Sequence, residues 1–139
     1  MRKNTTINKK DLLGRIAQKY SLELILLFGS RANKKNQRES DFDVAYLSKK
    51  ALDLEEESKL IVELAPVFKS ENIDLANLKK ASPLLSFAIT NNCQILYEEN
   101  PLIFPTLRVY AFKKYIETKP LYEEKFKRLQ NKLKKIKLK

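Results

Sequence analysis

The sequence predicts an α+β fold, a short mixed β-sheet flanked by helices and followed by an amphipathic C-terminal helix. Three observations lead there. Segments with apolar residues at helical spacing alternate with short apolar runs, giving the order α, β, β, α, β, α, β, α. Asn, Asp or Ser stands ahead of the first helical segments as a cap. The end of the chain repeats apolar residues at spacings of four, three, four and three, the seam of an amphipathic helix.

In chain order, Asn8 is placed to cap a helix with Asp11 in its first turn and Leu12, Leu13, Ile16, Ala17 and Tyr20 on one face. Glu23 to Phe28, rich in Leu and Ile and ended by Gly29, is short and apolar enough for a buried strand. After the polar stretch from Arg31 to Ser40, Phe42, Val44 and Tyr46 alternate with Asp43, Ala45 and Leu47 as a second strand. Asp53 can cap a helix that turns Leu60, Ile61, Leu64 and Ala65 inward, and Pro66 is expected to end or bend it. Ile73 to Leu78 reads as a third strand. Ser82 and Pro83 supply a cap and a first-turn proline for a helix over Leu84, Leu85, Phe87, Ala88 and Ile89, stopped by Asn91 and Asn92. Gln94 to Tyr97 is a short edge strand, and Asn100 with Pro101 opens a helical stretch to about Thr118, within which Pro105 is awkward. Beyond Pro120, the residues Tyr122, Phe126, Leu129, Leu133 and Ile136 form the terminal seam. The expected organisation is residues 1–118 as the main domain and 119–139 as a basic helix, either part of that domain or a docking tail.

Bulk properties remove several function classes. At 139 residues the chain has the length of one domain, and no apolar run approaches the roughly 18–20 residues of a membrane span. The opening MRKNTTINKKD has no apolar stretch behind it, so the expected location is the cytoplasm. Cys93 is the only cysteine and histidine is absent, so any metal must sit on oxygen. The net charge of +11 is uneven: residues 119–139 hold nine Lys/Arg against two Glu, a local +7 that leaves +4 for the rest. Direct nucleic-acid binding is therefore not expected of the main body, while the basic end leaves it open.

The chemistry concentrates in Leu26 to Tyr46, LLFGSRANKKNQRESDFDVAY. Gly29 and Ser30 follow a buried strand, where a glycine lets backbone approach a phosphate and Ser30 adds a hydroxyl donor. Ten residues later come Asp41 and Asp43, two positions apart on a strand and so on one face, with Phe42 on the other. Carboxylates that close repel each other, and a divalent cation is the simplest compensation, magnesium being favoured where phosphates share the site. Asp74 sits between Ile73 and Leu75 on the next strand and can complete the metal site. Two such ions suit in-line nucleotidyl transfer. Arg31, Lys34, Lys35 and Arg38 can add positive charge for the nucleotide phosphates. A Gly-Ser after a strand is by itself usually a plain turn, and Asp-x-Asp alone is a common exposed face. Their joint occurrence is the argument.

Gly29-Ser30, ten residues and Asp41-Phe42-Asp43 resemble the GSx10DxD signature of the DNA polymerase beta-like nucleotidyltransferase superfamily. Within it, the small size, the GSRA form of Gly29 to Ala32, and Ile73-Asp74-Leu75-Ala76-Asn77-Leu78 running into Ala81-Ser82-Pro83-Leu84-Leu85 look like the minimal nucleotidyltransferase, or MntA-type antitoxin, family. The similarity covers residues 10 to 100. It implies a nucleotidyltransferase-like fold, with Asp41, Asp43 and Asp74 as catalytic metal ligands for magnesium and Asp74 also orienting the acceptor hydroxyl. Gly29, Ser30 and Arg31 would hold the ATP phosphates. It further implies a HEPN-type ribonuclease toxin as partner, silenced by transfer of AMP to one of its tyrosines. Asn33, Lys34 and Lys35 stand where the family commonly has Arg-Gly and a later proline. Two other functions stay open: an antitoxin that acts by occlusion alone, and nucleotidyl transfer to a small molecule, against which the short chain argues.

Overall fold

Caps set the helix starts in this chain, and the strands between them follow from apolar runs. The structure, a computed structural model, describes residues 8–29 and 41–137. Helix α1 (Lys9–Tyr20) begins at Asn8, whose side-chain oxygen accepts from the Asp11 N–H at 2.8 Å, and ends at Ser21 in the left-handed region. Strand β1 (Leu22–Phe28) follows at once and pairs antiparallel with β2 (Phe42–Ser48). Helix α2 (Leu54–Phe68) starts with a reciprocal capping box: the Asp53 carboxylate accepts from the Glu56 N–H at 2.8 Å, and the Glu56 carboxylate from the Asp53 N–H at 3.1 Å. Strand β3 (Ile73–Asn77) lies parallel to β2. Ser82 caps α3 (Pro83–Asn91), with Pro83 in the first turn where no N–H is needed. Strand β4 (Cys93–Glu98) pairs antiparallel with β1, and α4 (Ile103–Lys137) completes the fold.

The sheet order is β3-β2-β1-β4, one parallel and two antiparallel pairings, as the mixed pattern predicts. Strand β1 is interior and its sequence LELILLF is apolar almost throughout because both faces are covered. Ile25 and Leu27, with Val44 and Tyr46 of β2, meet α1 and α2 through Leu13, Ile16, Leu60 and Leu64. Leu24, Leu26 and Ala45 meet Ile89 of α3 and Ile103, Phe104 and Leu107 of α4 on the opposite face. Phe42 belongs to the first face and stacks on Phe68 with ring centroids 4.8 Å apart. A pair of this kind stabilises by about 0.5–1.5 kcal/mol beyond its buried area. It also fixes which way β2 faces, so that Asp43 points to the α3 and α4 side.

Pro120 corrects the sequence-based expectation. Helix α2 passes through Pro66 and stops only at Lys69, in the left-handed region with its N–H on the Ala65 carbonyl. Helix α4 is one continuous helix through Pro120, where two helical stretches were expected. An interior proline costs about 3 kcal/mol mainly through the lost bond to the carbonyl four residues back. Here those residues are Val62 and Ile116, 69% and 48% exposed, so the unmatched carbonyls lie on the solvent side. Pro105 is the third residue of α4, in the turn whose N–H groups have no helical acceptor. No helix among the described residues is long and apolar enough to cross a membrane.

Two tyrosines tie the first layer together. Tyr46, fully buried, donates its hydroxyl to Glu57 at 2.5 Å, and Tyr20 donates to Glu63, which also pairs with Lys19. Burial first, and then the neighbouring carboxylate, pushes Tyr20 up to about 12 and raises Tyr46 as well. Each folded value lies above the unfolded one, so the stabilisation is complete below the ordinary tyrosine value and is lost as pH climbs through the raised value. Urea denaturation should therefore show stability falling above about pH 10. Tyr46→Phe should cost about 1–3 kcal/mol at pH 7 by leaving Glu57 without its donor, and should flatten the alkaline slope. An unchanged midpoint in Tyr46→Phe would show that the hydroxyl contributes nothing.

Candidate active site

The strand register assembles the acids. Asp43, near the start of β2, stands opposite Phe28 of β1 on one side and beside Asp74 of β3 on the other. Residues paired across strands share a face, so Asp43 and Asp74 point to the same side as Ala45 and Ala76. Asp41 lies just ahead of the strand, which begins at Phe42, so strand alternation does not set its direction. Burial above all, then Asp74, then Asp41 push the Asp43 carboxyl above its ordinary range. Among the described residues none of the three is in an ion pair.

Gly29 closes the site from β1. Its φ is +76°, and a Cβ built there would stand 2.2 Å from Oδ2 of Asp43. The Asp43 carboxylate thus fills the space a side chain at position 29 would need, so the backbone angle favours glycine and any larger residue would have to push that carboxylate aside. Ser30 and Arg31, the other two expected phosphate contacts, lie outside the described residues, as do Asn33, Lys34, Lys35 and Arg38.

A groove of about 470 Å³ opens over this corner, lined by Phe28, Asp43, Asp74, Asn77, Lys80 and Leu85 among others. That volume lies within the roughly 300–1,000 Å³ of small-molecule sites. A larger cleft of about 560 Å³ runs between α3 and α4, walled by Phe87, Phe104, Val109 and Phe112 with Thr90, Asn91 and Arg108, but it holds no carboxylate, so the chemistry points to the smaller groove. Lys80 was not singled out in the sequence. It is placed by a tight turn in which the Asn77 side chain accepts from the Lys79 N–H at 2.9 Å and the Asn77 carbonyl from the Lys80 N–H at 3.0 Å. A lysine directly between an acid-bearing strand and a helix cap was the available signal.

The donor set is all oxygen, which suits a hard divalent cation. Among the described residues no three acidic or cysteine side chains close into a complete metal cage. An open cluster is what magnesium takes, since it usually binds through one or two carboxylates plus water and substrate phosphates. The residues present therefore fit magnesium in kind, with Asp43 and Asp74 best placed by the sheet.

The sequence over residues 12–102 matches the family model described as Polymerase beta, Nucleotidyltransferase. No curated protein matches the chain. Among solved structures, it is similar to a toxin-antitoxin determined with AMP-PNP at 23% identity and TM-score 0.75, over 87% of this chain and 98% of that one. It is similar at 21% identity and TM-score 0.69 to the complex of tri-AMPylated Shewanella oneidensis HEPN toxin with MNT antitoxin, over 88% and 96% of the two chains. The MntA-HepT toxin-antitoxin gives 21% identity and TM-score 0.69, over 88% and 97%. At these identities the likeness establishes a common fold.

Proposed function

The chain belongs to the polymerase beta nucleotidyltransferase family, and on that premise we propose that it is an antitoxin that transfers AMP from ATP to a tyrosine hydroxyl of a HEPN-type ribonuclease toxin and so silences it. The observation that carries this reading is the register that sets Asp43 beside Asp74 with Gly29 against the Asp43 carboxylate. The fold shared with complexes whose names include AMP-PNP and an AMPylated HEPN toxin supports the choice of nucleotide and partner. Residues 1–118 act as the transfer domain and 119–139 as a basic helical arm, in the cytoplasm.

In this reading Gly29, Ser30 and Arg31 grip the ATP phosphates. Asp41, Asp43 and Asp74 would hold magnesium, as two ions, which would neutralise charge on the triphosphate and lower the pKa of the acceptor hydroxyl. Asp74, exposed at the groove's rim, orients that hydroxyl and takes its proton. The hydroxyl oxygen bonds to the α-phosphorus as the bond from that phosphorus to the bridging oxygen breaks, and pyrophosphate leaves. Lys80 lines the same groove and faces the anionic substrate.

The test is incubation of the chain with α-labelled ATP, magnesium and the HEPN-domain protein encoded beside it. Label is expected on a partner tyrosine, with loss of its ribonuclease activity. No label at saturating ATP sinks the proposal. If Asp41→Asn with Asp43→Asn still protects cells from the toxin, occlusion without chemistry is the correct reading.

A further inference from the structure

Helix α4 has one stripe that changes status along its length. Leu107 and Ala111 pack into the second layer, Tyr115 stacks on Phe87 of α3 with centroids 4.2 Å apart, and Thr118 is half-buried. Steps of three and four residues keep a helix position on one side, so Tyr122, Phe126, Leu129, Leu133 and Ile136 continue that same stripe. Past Tyr122 it is uncovered: Phe126 is 61% exposed, Leu129 52%, Leu133 57% and Ile136 67%. The face that binds this helix to its own fold thus runs on as an open seam.

The surroundings of the seam decide what covers it. Lys125 and Lys132 border it on one side and Glu123 and Gln130 on the other, while Lys127, Arg128, Lys134 and Lys135 lie on the exposed back of the helix, where Glu124 is spent on Arg128 at 2.6 Å. A second copy would bring another +7 segment against this one, a repulsive pairing. A lipid surface calls for a broad apolar face, whereas two apolar residues per seven with Lys125 and Lys132 at the border make the narrow seam of helix packing. RNA would use the cations and leave four large apolar side chains in water. We propose that residues 122–136 are a docking arm for an amphipathic helix of another protein, apolar along its centre and acidic along the edge that meets Lys125 and Lys132. Flanking charges of opposite sign are the feature that sets partner choice in such pairings.

Two synthetic helical peptides with the same leucine seam, one bordered by Glu and the other by Lys, test this by fluorescence anisotropy against the full chain. The acidic peptide is expected to bind at least about tenfold tighter than the basic one, with the advantage shrinking in high salt. Phe126→Ala with Leu129→Ala and Leu133→Ala should weaken it at least about tenfold, while alanine, the best helix former, leaves the far-ultraviolet circular dichroism unchanged. Asp41→Asn with Asp43→Asn should bind the peptide as the parent does, so this proposal and the transfer reading fail separately. Equal binding of the two peptides, or an unaffected triple alanine variant, overturns the proposal. So does a dimer in sedimentation that the triple variant abolishes, or tighter binding to phosphatidylserine vesicles or an RNA hairpin than to the acidic peptide.

Discussion

Asp43→Asn is expected to abolish AMP transfer and, in the same molecule, to make the fold more stable near neutral pH. Both effects come from one cause. Burial and the charges of Asp74 and Asp41 raise the Asp43 carboxyl, so the fold prefers it protonated. With the folded value above the unfolded one, that preference stabilises fully below the ordinary carboxylate value and is lost as pH rises through the raised value. At neutral pH the ionised group is a cost that a neutral amide of the same shape removes. Because the group is partly exposed and screened, the gain is up to about 1 kcal/mol. Loss of one of the carboxylates proposed to hold magnesium against the triphosphate should lower the transfer rate at least about 10³-fold. Initial rates together with thermal melts from pH 4 to 8, with and without magnesium, read both quantities. Magnesium should raise the melting temperature of the parent more than that of the variant. A variant that keeps its rate within about tenfold, or melts below the parent at pH 7, contradicts the assignment.

The elements that sequence places correctly are those whose cause is local. Asn8, Asp53 and Ser82 cap helices through bonds to N–H groups three residues on, and those bonds are present at all three. Strand β1 is legible because an interior strand covered on both faces must be apolar on both. The reading goes astray at Pro120, since whether a proline breaks a helix depends on whether the carbonyl it abandons faces core or water. That is a tertiary fact. The terminal seam is legible as an amphipathic stripe, but which part of it is covered is set by where α3 begins, at Pro83 alongside Thr118.

The candidate site divides in the same way. The spacing of Asp41 and Asp43 foretells a shared face, and the structure gives Asp43 that face by turning Phe42 onto Phe68. Asp74 is recognisable as a strand acid, but only the parallel pairing of β3 with β2 sets it level with Asp43; an antiparallel or shifted strand with the same sequence would not. Lys80 escaped notice because its importance lies in a turn geometry that brings it over the groove, not in a spacing.

Gly29→Ala is the sharpest probe of that geometry. The substitution meets two obstacles, a φ of +76° and an added Cβ at 2.2 Å from Oδ2 of Asp43. Left-handed backbone costs a non-glycine residue roughly 1–2 kcal/mol, and strain of this kind totals about 1–3 kcal/mol per residue. The clash can be relieved only by moving the Asp43 carboxylate away from Gly29, which displaces it relative to Asp74. Misplacement by about 1 Å costs on the order of 10²-fold in rate. The expected result is a destabilisation of about 1–3 kcal/mol in urea and a transfer rate lower by at least about 10²-fold. The same change in an Asp43→Ala background separates the two causes, because the carboxylate that the new methyl would strike is then gone. There the stability cost should shrink to that of the backbone angle. If Gly29→Ala costs the same in both backgrounds, the approach of Gly29 to Asp43 is not what requires the glycine.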